Sequence, residues 1–160
     1  FYASTVFVMV ADHGARVYGS QDLPIRSYEI PFFIIGPAVV TRPARIDAFG
    51  CSMDVTPTLL GLIGRPYESM FFGRDLLKGK PENERVLMHH NRDAGMYRLE
   101  RMVSLELNRS VQYYHGNPKK EELLPVTFPD KRDLETERYA VALFQTADDM
   151  YVHEQYRIDF

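Results

Sequence analysis

Cysteine is almost missing from this 160-residue chain: Cys51 stands alone. That excludes an internal disulfide framework, and it leaves the redox compartment unread. A strong charge of one sign is missing too. The net charge is -3 and the 19 Lys and Arg residues are scattered, so no basic face for nucleic acid is expected. No apolar run approaches the roughly 20 residues of a membrane-spanning helix. There is no internal repeat and no low-complexity tract. What is present is a globular composition, 45% hydrophobic and 26% charged, which is far from that of a disordered chain. The length suits one domain with a core of ordinary size.

The stretch that organises the rest is Thr5 to Gly14, TVFVMVADHG. Thr5 to Ala11 is a short, β-branched apolar run without alternation. That pattern predicts a strand buried on both faces, as in a parallel sheet covered by helices. It stops at Asp12, His13 and Gly14. Ligands collect beyond the carboxyl ends of strands in open α/β sheets. A carboxylate and an imidazole placed there are a candidate pair for a divalent metal. A plain turn, with Asp12 capping backbone amides, reads equally well from these residues alone. Because the chain opens directly on a central-looking strand, it is expected to be a fragment whose upstream part supplies much of the sheet.

Ala15 to Tyr28 reads as a loop in which Arg16 and Arg26 are candidate anion contacts, with Tyr18 beside them. Glu29 to Pro37, EIPFFIIGP, predicts a second buried strand. Cys51 to Gly64, CSMDVTPTLLGLIG, changes to a helical period. Val55, Leu59, Leu62 and Ile63 lie on one face, Pro57 fits the first turn, and Gly64 is the stop. Asp54 reads as a cap or as a candidate acid. Phe71 and Phe72 are expected to cover an edge of the core. From Glu84 to His115 the alternation predicts an antiparallel meander of three or four strands with one face towards a core, Val103, Leu105 and Leu107 sharing a side. His89 and His90 fall on opposite faces of their strand and cannot share a metal. Asp133 to Ile158 has a helical stripe through Ala140, Leu143, Phe144, Ala147, Met150 and Tyr151.

ADHG after an apolar strand, then IPFFIIGP, then DVTPTLLGLIG, then FFGRDLL form an ordered series. It resembles the C-terminal part of the sulfatase-like branch of the alkaline phosphatase superfamily. Within that branch it is most similar to bacterial lipoteichoic acid synthase-like phosphoglycerol transferases. The resemblance implies an α/β sandwich: mostly parallel strands of a catalytic core over residues 1–80, then a small antiparallel sheet and a C-terminal helix of the same domain over residues 81–160. It implies that Asp12 and His13 are paired metal ligands, for manganese or magnesium, or for calcium in a true sulfatase. The nucleophile and the earlier acidic ligand are expected upstream, so no catalytic residue is assigned here. Cys51 lacks the sulfatase nucleophile's context, Cys-x-Pro/Ala-x-Arg, being followed by Ser52, Met53, Asp54 and Val55.

The expected function is part of a metal-dependent phospho- or sulfo-ester transferase or hydrolase, inactive by itself, with a sulfatase as the alternative. A reading of another class is a non-catalytic module that binds an envelope glycan or a partner. The expected partners are a phosphate or sulfate ester, on phospholipid or glycan, and no nucleic acid. By resemblance the catalytic domain faces the periplasm or cell exterior, anchored in the inner membrane by upstream helices. An open sheet edge is expected to make the fragment self-associate.

Overall fold

A computed structural model describes residues 1–15, 25–90, 92–120 and 123–156. Strand β1 (Phe7–Val10) pairs with β2 (Phe32–Ile35) in a two-stranded sheet. Helix α1 (Val55–Ile63) follows, led by a one-turn 3-10 segment, Ser52–Asp54. A five-stranded sheet comes next, in the order β3 (Val86–His90), β4 (Asp93–Arg98), β5 (Arg101–Leu105), β6 (Val111–His115), β7 (Leu124–Pro125). Helix α2 (Lys131–Val152) closes the fold. The α/β class, the antiparallel meander and the C-terminal helix are those expected from sequence.

The first strand departs from expectation in its pairing. β1 and β2 run antiparallel, with Phe7 opposite Ile35 and Val10 opposite Phe32. The physical cause lies in the connection. A Cβ on Gly14 would sit 2.8 Å from the Glu29 carbonyl oxygen and closer still to that of Ser27. The backbone therefore doubles back against itself, and β2 returns beside β1. An apolar run specifies burial but not the direction of its neighbour. The faces of this small sheet also stay open: Met9 is 47% exposed and Phe33 58%.

The five-stranded sheet buries both faces, where one was expected. Met88, Tyr97 and Met102 form a cluster on one side, joined by Ile25, Tyr28 and Phe49. Met96, Val103 and Ala140 form the other, joined by Leu87, Leu105 and Tyr113. Ala140 brings α2 onto that second face. Strict alternation along β3 to β6 sends neighbours to opposite sides, and here each side has a cover. Leu107 leaves the sheet and is exposed. The helical stripe is seated through Asp133, Thr136 and Ala140, while Tyr151 points away and is 72% exposed. Phe71 is also exposed, and only Phe72 is half-buried.

The β4–β5 hairpin turns on two residues with left-handed backbone, Leu99 (φ 51°) and Glu100 (φ 59°). Such a turn suits Asn-Gly, and each L side chain there costs about 1 kcal/mol. Replacing Leu99 by Asn and Glu100 by Gly is expected to raise stability by about 1–2 kcal/mol. An unchanged or lower denaturation midpoint would count against this turn geometry.

Burial pushes the Tyr97 phenol up to about 12, helped by the charge of Glu100. Burial and then the hydrogen bond to Glu137 do the same for Tyr113. A folded-state value above the unfolded one means stability is complete below about pH 10 and drains away towards pH 12. Alkaline unfolding is expected in that window. Tyr97→Phe and Tyr113→Phe should each flatten the loss, read by circular dichroism across the titration.

Candidate metal centre

Asp12 and His13 follow β1 directly. The Ala11 amide still donates to the Pro31 carbonyl at 3.2 Å, so the hairpin carries the pair to its own lip. Both side chains face solvent, 91% exposed for Asp12 and 81% for His13. They lie together: Asp12 Oδ1 is 3.8 Å from His13 Nε2 and also accepts the His13 amide at 3.0 Å. His13 Nδ1 is 2.9 Å from the Gly14 carbonyl oxygen. A carbonyl only accepts, so Nδ1 must carry the proton. In the neutral ring Nε2 then keeps its lone pair, on the side where the carboxylate sits.

That arrangement passes the chemical test for a divalent cation. A carboxylate oxygen and an imidazole nitrogen converge on one exposed spot, and the second ring nitrogen is held by an outer acceptor, as in most metal-bound histidines. Gly14 is what makes the outer acceptor reachable, because a side chain there would strike the Ser27 and Glu29 carbonyls. Of the candidate anion contacts, Arg16 and Tyr18 lie outside the described residues. Arg26 has its backbone in the 3-10 turn Ile25–Tyr28.

A second His–Asp group escaped the sequence reading. His115, Asp130 and Asp133 bring their ligand atoms within 4.8 Å of one another. His115 Nε2 lies 2.7 Å from Asp133 Oδ1. The Arg101 guanidinium fills the middle, donating to Asp130 Oδ2 at 2.9 Å and passing 3.6 Å from Asp133 Oδ1. The remaining carboxylate oxygens are taken as well: Asp130 Oδ1 accepts the Arg132 and Asp133 amides, and Asp133 Oδ2 accepts the Asp130 amide. The Asp133 amide first, and then that of Arg132, hold the Asp130 carboxyl below the usual range. A fixed cation and a full set of donors leave a metal little to bind. The group ties β5 and β6 to the start of α2, and the D-x-x-D spacing before a helical run was its one signal in sequence.

Asp54 proves to be structural. It is 2% exposed, accepts the Cys51 amide at 2.9 Å and the Arg74 amide at 2.8 Å, and so joins the start of α1 to the backbone at Arg74. Burial, and next the Asp54 charge, push the Cys51 thiol up. An activated nucleophile needs the reverse. His89 is exposed, and its carbonyl accepts the Tyr28 hydroxyl at 2.7 Å.

An acid–imidazole pair follows the first strand of an α/β scaffold that ends in an antiparallel sheet and a helix. Residues 2–65 match the model of the sulfatase family. The structure as a whole is similar to a crystal structure of a protein in the alkaline phosphatase superfamily from Vibrio parahaemolyticus. The TM-score is 0.82 at 27% sequence identity, and the match covers 99% of this chain. The chain spans 38% of the length of that protein. Together the two likenesses support a sulfatase-like chain with an alkaline phosphatase superfamily fold.

Proposed function

We propose that this chain is the C-terminal part of a metal-dependent phospho- or sulfo-ester transferase or hydrolase, of the phosphoglycerol transferase type, in which Asp12 and His13 hold the metal. The observation that carries the reading is the 3.8 Å approach of Asp12 Oδ1 to His13 Nε2 at an exposed strand end. Bound manganese or magnesium would neutralise the negative charge of an ester group and so ease attack on it. Asp12 contributes a full negative charge to that cation, and His13 a neutral nitrogen whose ring is oriented through Nδ1. Residues upstream of this sequence supply the hydroxyl nucleophile and the other ligands. The substrate is a phosphate ester on phospholipid or glycan, met at the outer side of the inner membrane. The open β1–β2 sheet makes the 160 residues self-associate when produced alone.

A sulfatase, with calcium in the same place, is the second reading, and the sulfatase-family match over residues 2–65 favours it. The test uses the full-length protein stripped by chelator. It should bind Mn²⁺ in calorimetry and cleave a chromogenic phosphodiester only when the cation is restored. Cleavage of a sulfate ester instead would move the assignment to the sulfatase branch. Cleavage that ignores the cation would remove the proposal. Glycan binding without turnover would favour a non-catalytic module.

A further inference from the structure

Tyr28 stands between the candidate centre and the five-stranded sheet. Tyr28 ends the 3-10 turn Ile25–Tyr28. Its ring packs on the Met88, Tyr97 and Met102 cluster of the five-stranded sheet. Its hydroxyl donates to the His89 carbonyl of β3 at 2.7 Å. On either side of Tyr28 in sequence, the Ser27 and Glu29 carbonyls press on Gly14, where there is no room for a Cβ. The Gly14 carbonyl in turn takes the Nδ1 proton of His13 at 2.9 Å. These contacts form an unbroken path: β3, Tyr28, the Ser27–Glu29 backbone, Gly14, His13. His13 itself is 81% exposed, so among the described residues little else packs its ring in place.

We propose that Tyr28 is a positioning residue for His13: its hydroxyl, fixed to β3, holds the backbone on which Gly14 rests, and so aims the imidazole. The five-stranded sheet thereby sets the geometry of a centre whose two candidate ligands, Asp12 and His13, lie outside it. The metal part of this inference rests on the function proposed above; the orienting part does not.

The experiment compares Tyr28→Phe with Tyr113→Phe. Both lose one phenolic hydroxyl and keep the ring, but Tyr113 bonds Glu137 on the α2 face, away from the path. In the full-length protein, Mn²⁺ affinity by calorimetry is expected to fall about tenfold in Tyr28→Phe, the low end for groups that support a metal-bound histidine. It should stay at the parent value in Tyr113→Phe, even where both variants lose similar stability. Nitrogen chemical shifts of the His13 ring in metal-free protein supply the second reading. The Nδ1–H form should lose population in Tyr28→Phe and not in Tyr113→Phe. Equal affinity loss in both variants, or unmoved His13 shifts in Tyr28→Phe, would overturn the proposal. A parent protein that binds no Mn²⁺ would sink the function proposed above, and the ring shifts would still decide whether Tyr28 orients His13.

Discussion

Asp54→Ala is expected to lower stability by about 3–5 kcal/mol, the cost of removing one partner from a buried ionic and hydrogen-bonded group. The carboxylate accepts two backbone amides, that of Cys51 three positions before it and that of Arg74 20 positions after it. Its Oδ2 is also 3.8 Å from the Arg74 guanidinium, a side chain only 15% exposed. That guanidinium fans out to the carbonyls of Phe49, Asn83 and Arg85. Without Asp54 the buried cation keeps its carbonyls and loses its counter-charge, and two amides lose their acceptor. Neighbouring contacts leave no space for another group to move in. A Cβ on Gly50 would be 3.1 Å from Asp54 Oδ2, and Gly73 lies hard against the Met53 carbonyl. Domains of this size hold about 5–15 kcal/mol in total, so the variant should sit near the edge of unfolding. Asp54→Asn should be milder, because one amide keeps an acceptor while the other meets an NH₂ group. The check is a urea titration with unchanged slope and a shifted midpoint. A midpoint equal to that of the parent would show that the knot contributes nothing.

The same residue illustrates how far the sequence could be read. Helix α1 was legible because its signals are local: a four-three-one apolar spacing, Pro57 in the first turn, and Gly64, which adopts φ 72° as the stop. The expected capping of α1 by the Asp54 side chain is not made; the carboxylate turns back to the Cys51 amide instead. Its bond to Arg74 was not legible, since nothing at either position names the other. The meander could be read from alternation, but its strand bounds and register could not: Asp93–Gly95, which read as a turn, begins β4, the hairpin turns at Leu99 and Glu100 inside what read as one strand, and Met96 comes to lie opposite Val103 and Met102 opposite Tyr114. The fifth strand was hidden because it is two residues long and contains Pro125. That both faces of the sheet are covered was hidden too, because Met and Tyr read alike on either side. Pairing direction in the first sheet depended on how the backbone returns past Gly14, a contact between residues 13 to 15 positions away. The Arg101, His115, Asp133 group joins residues 14 and 18 positions apart, from elements whose docking no periodicity reveals. For the candidate centre the order was reversed. Asp12 and His13 are adjacent, so sequence placed them at a strand end. The coordinates added the ring orientation and the outer acceptor.

Asp12→Ala and His13→Ala are expected to have the opposite signature from Asp54→Ala. Each should cut metal-dependent ester turnover by roughly 10²-fold or more, since losing even about 3 kcal/mol of charge stabilisation at the transition state costs that much. Neither should change folding stability by more than about 0.5 kcal/mol, the usual range for exposed sites. The reasoning starts from exposure. At 91% and 81% exposed the two side chains bury almost nothing, and their mutual contact at 3.8 Å is screened by water. A pair retained only as a turn has a different expectation, because Asp12 then serves the His13 amide. On that account Asp12→Asn, which keeps an acceptor oxygen, would behave as the parent does in every assay. As a metal ligand, Asp12→Asn loses the negative charge that holds the cation, and Mn²⁺ affinity should fall with turnover while the melting temperature of the metal-free protein stays put. Calorimetry, turnover and melting of the three variants therefore separate the two roles. Full activity in Asp12→Asn would return the pair to an ordinary turn, and the metal would have to be sought among other residues.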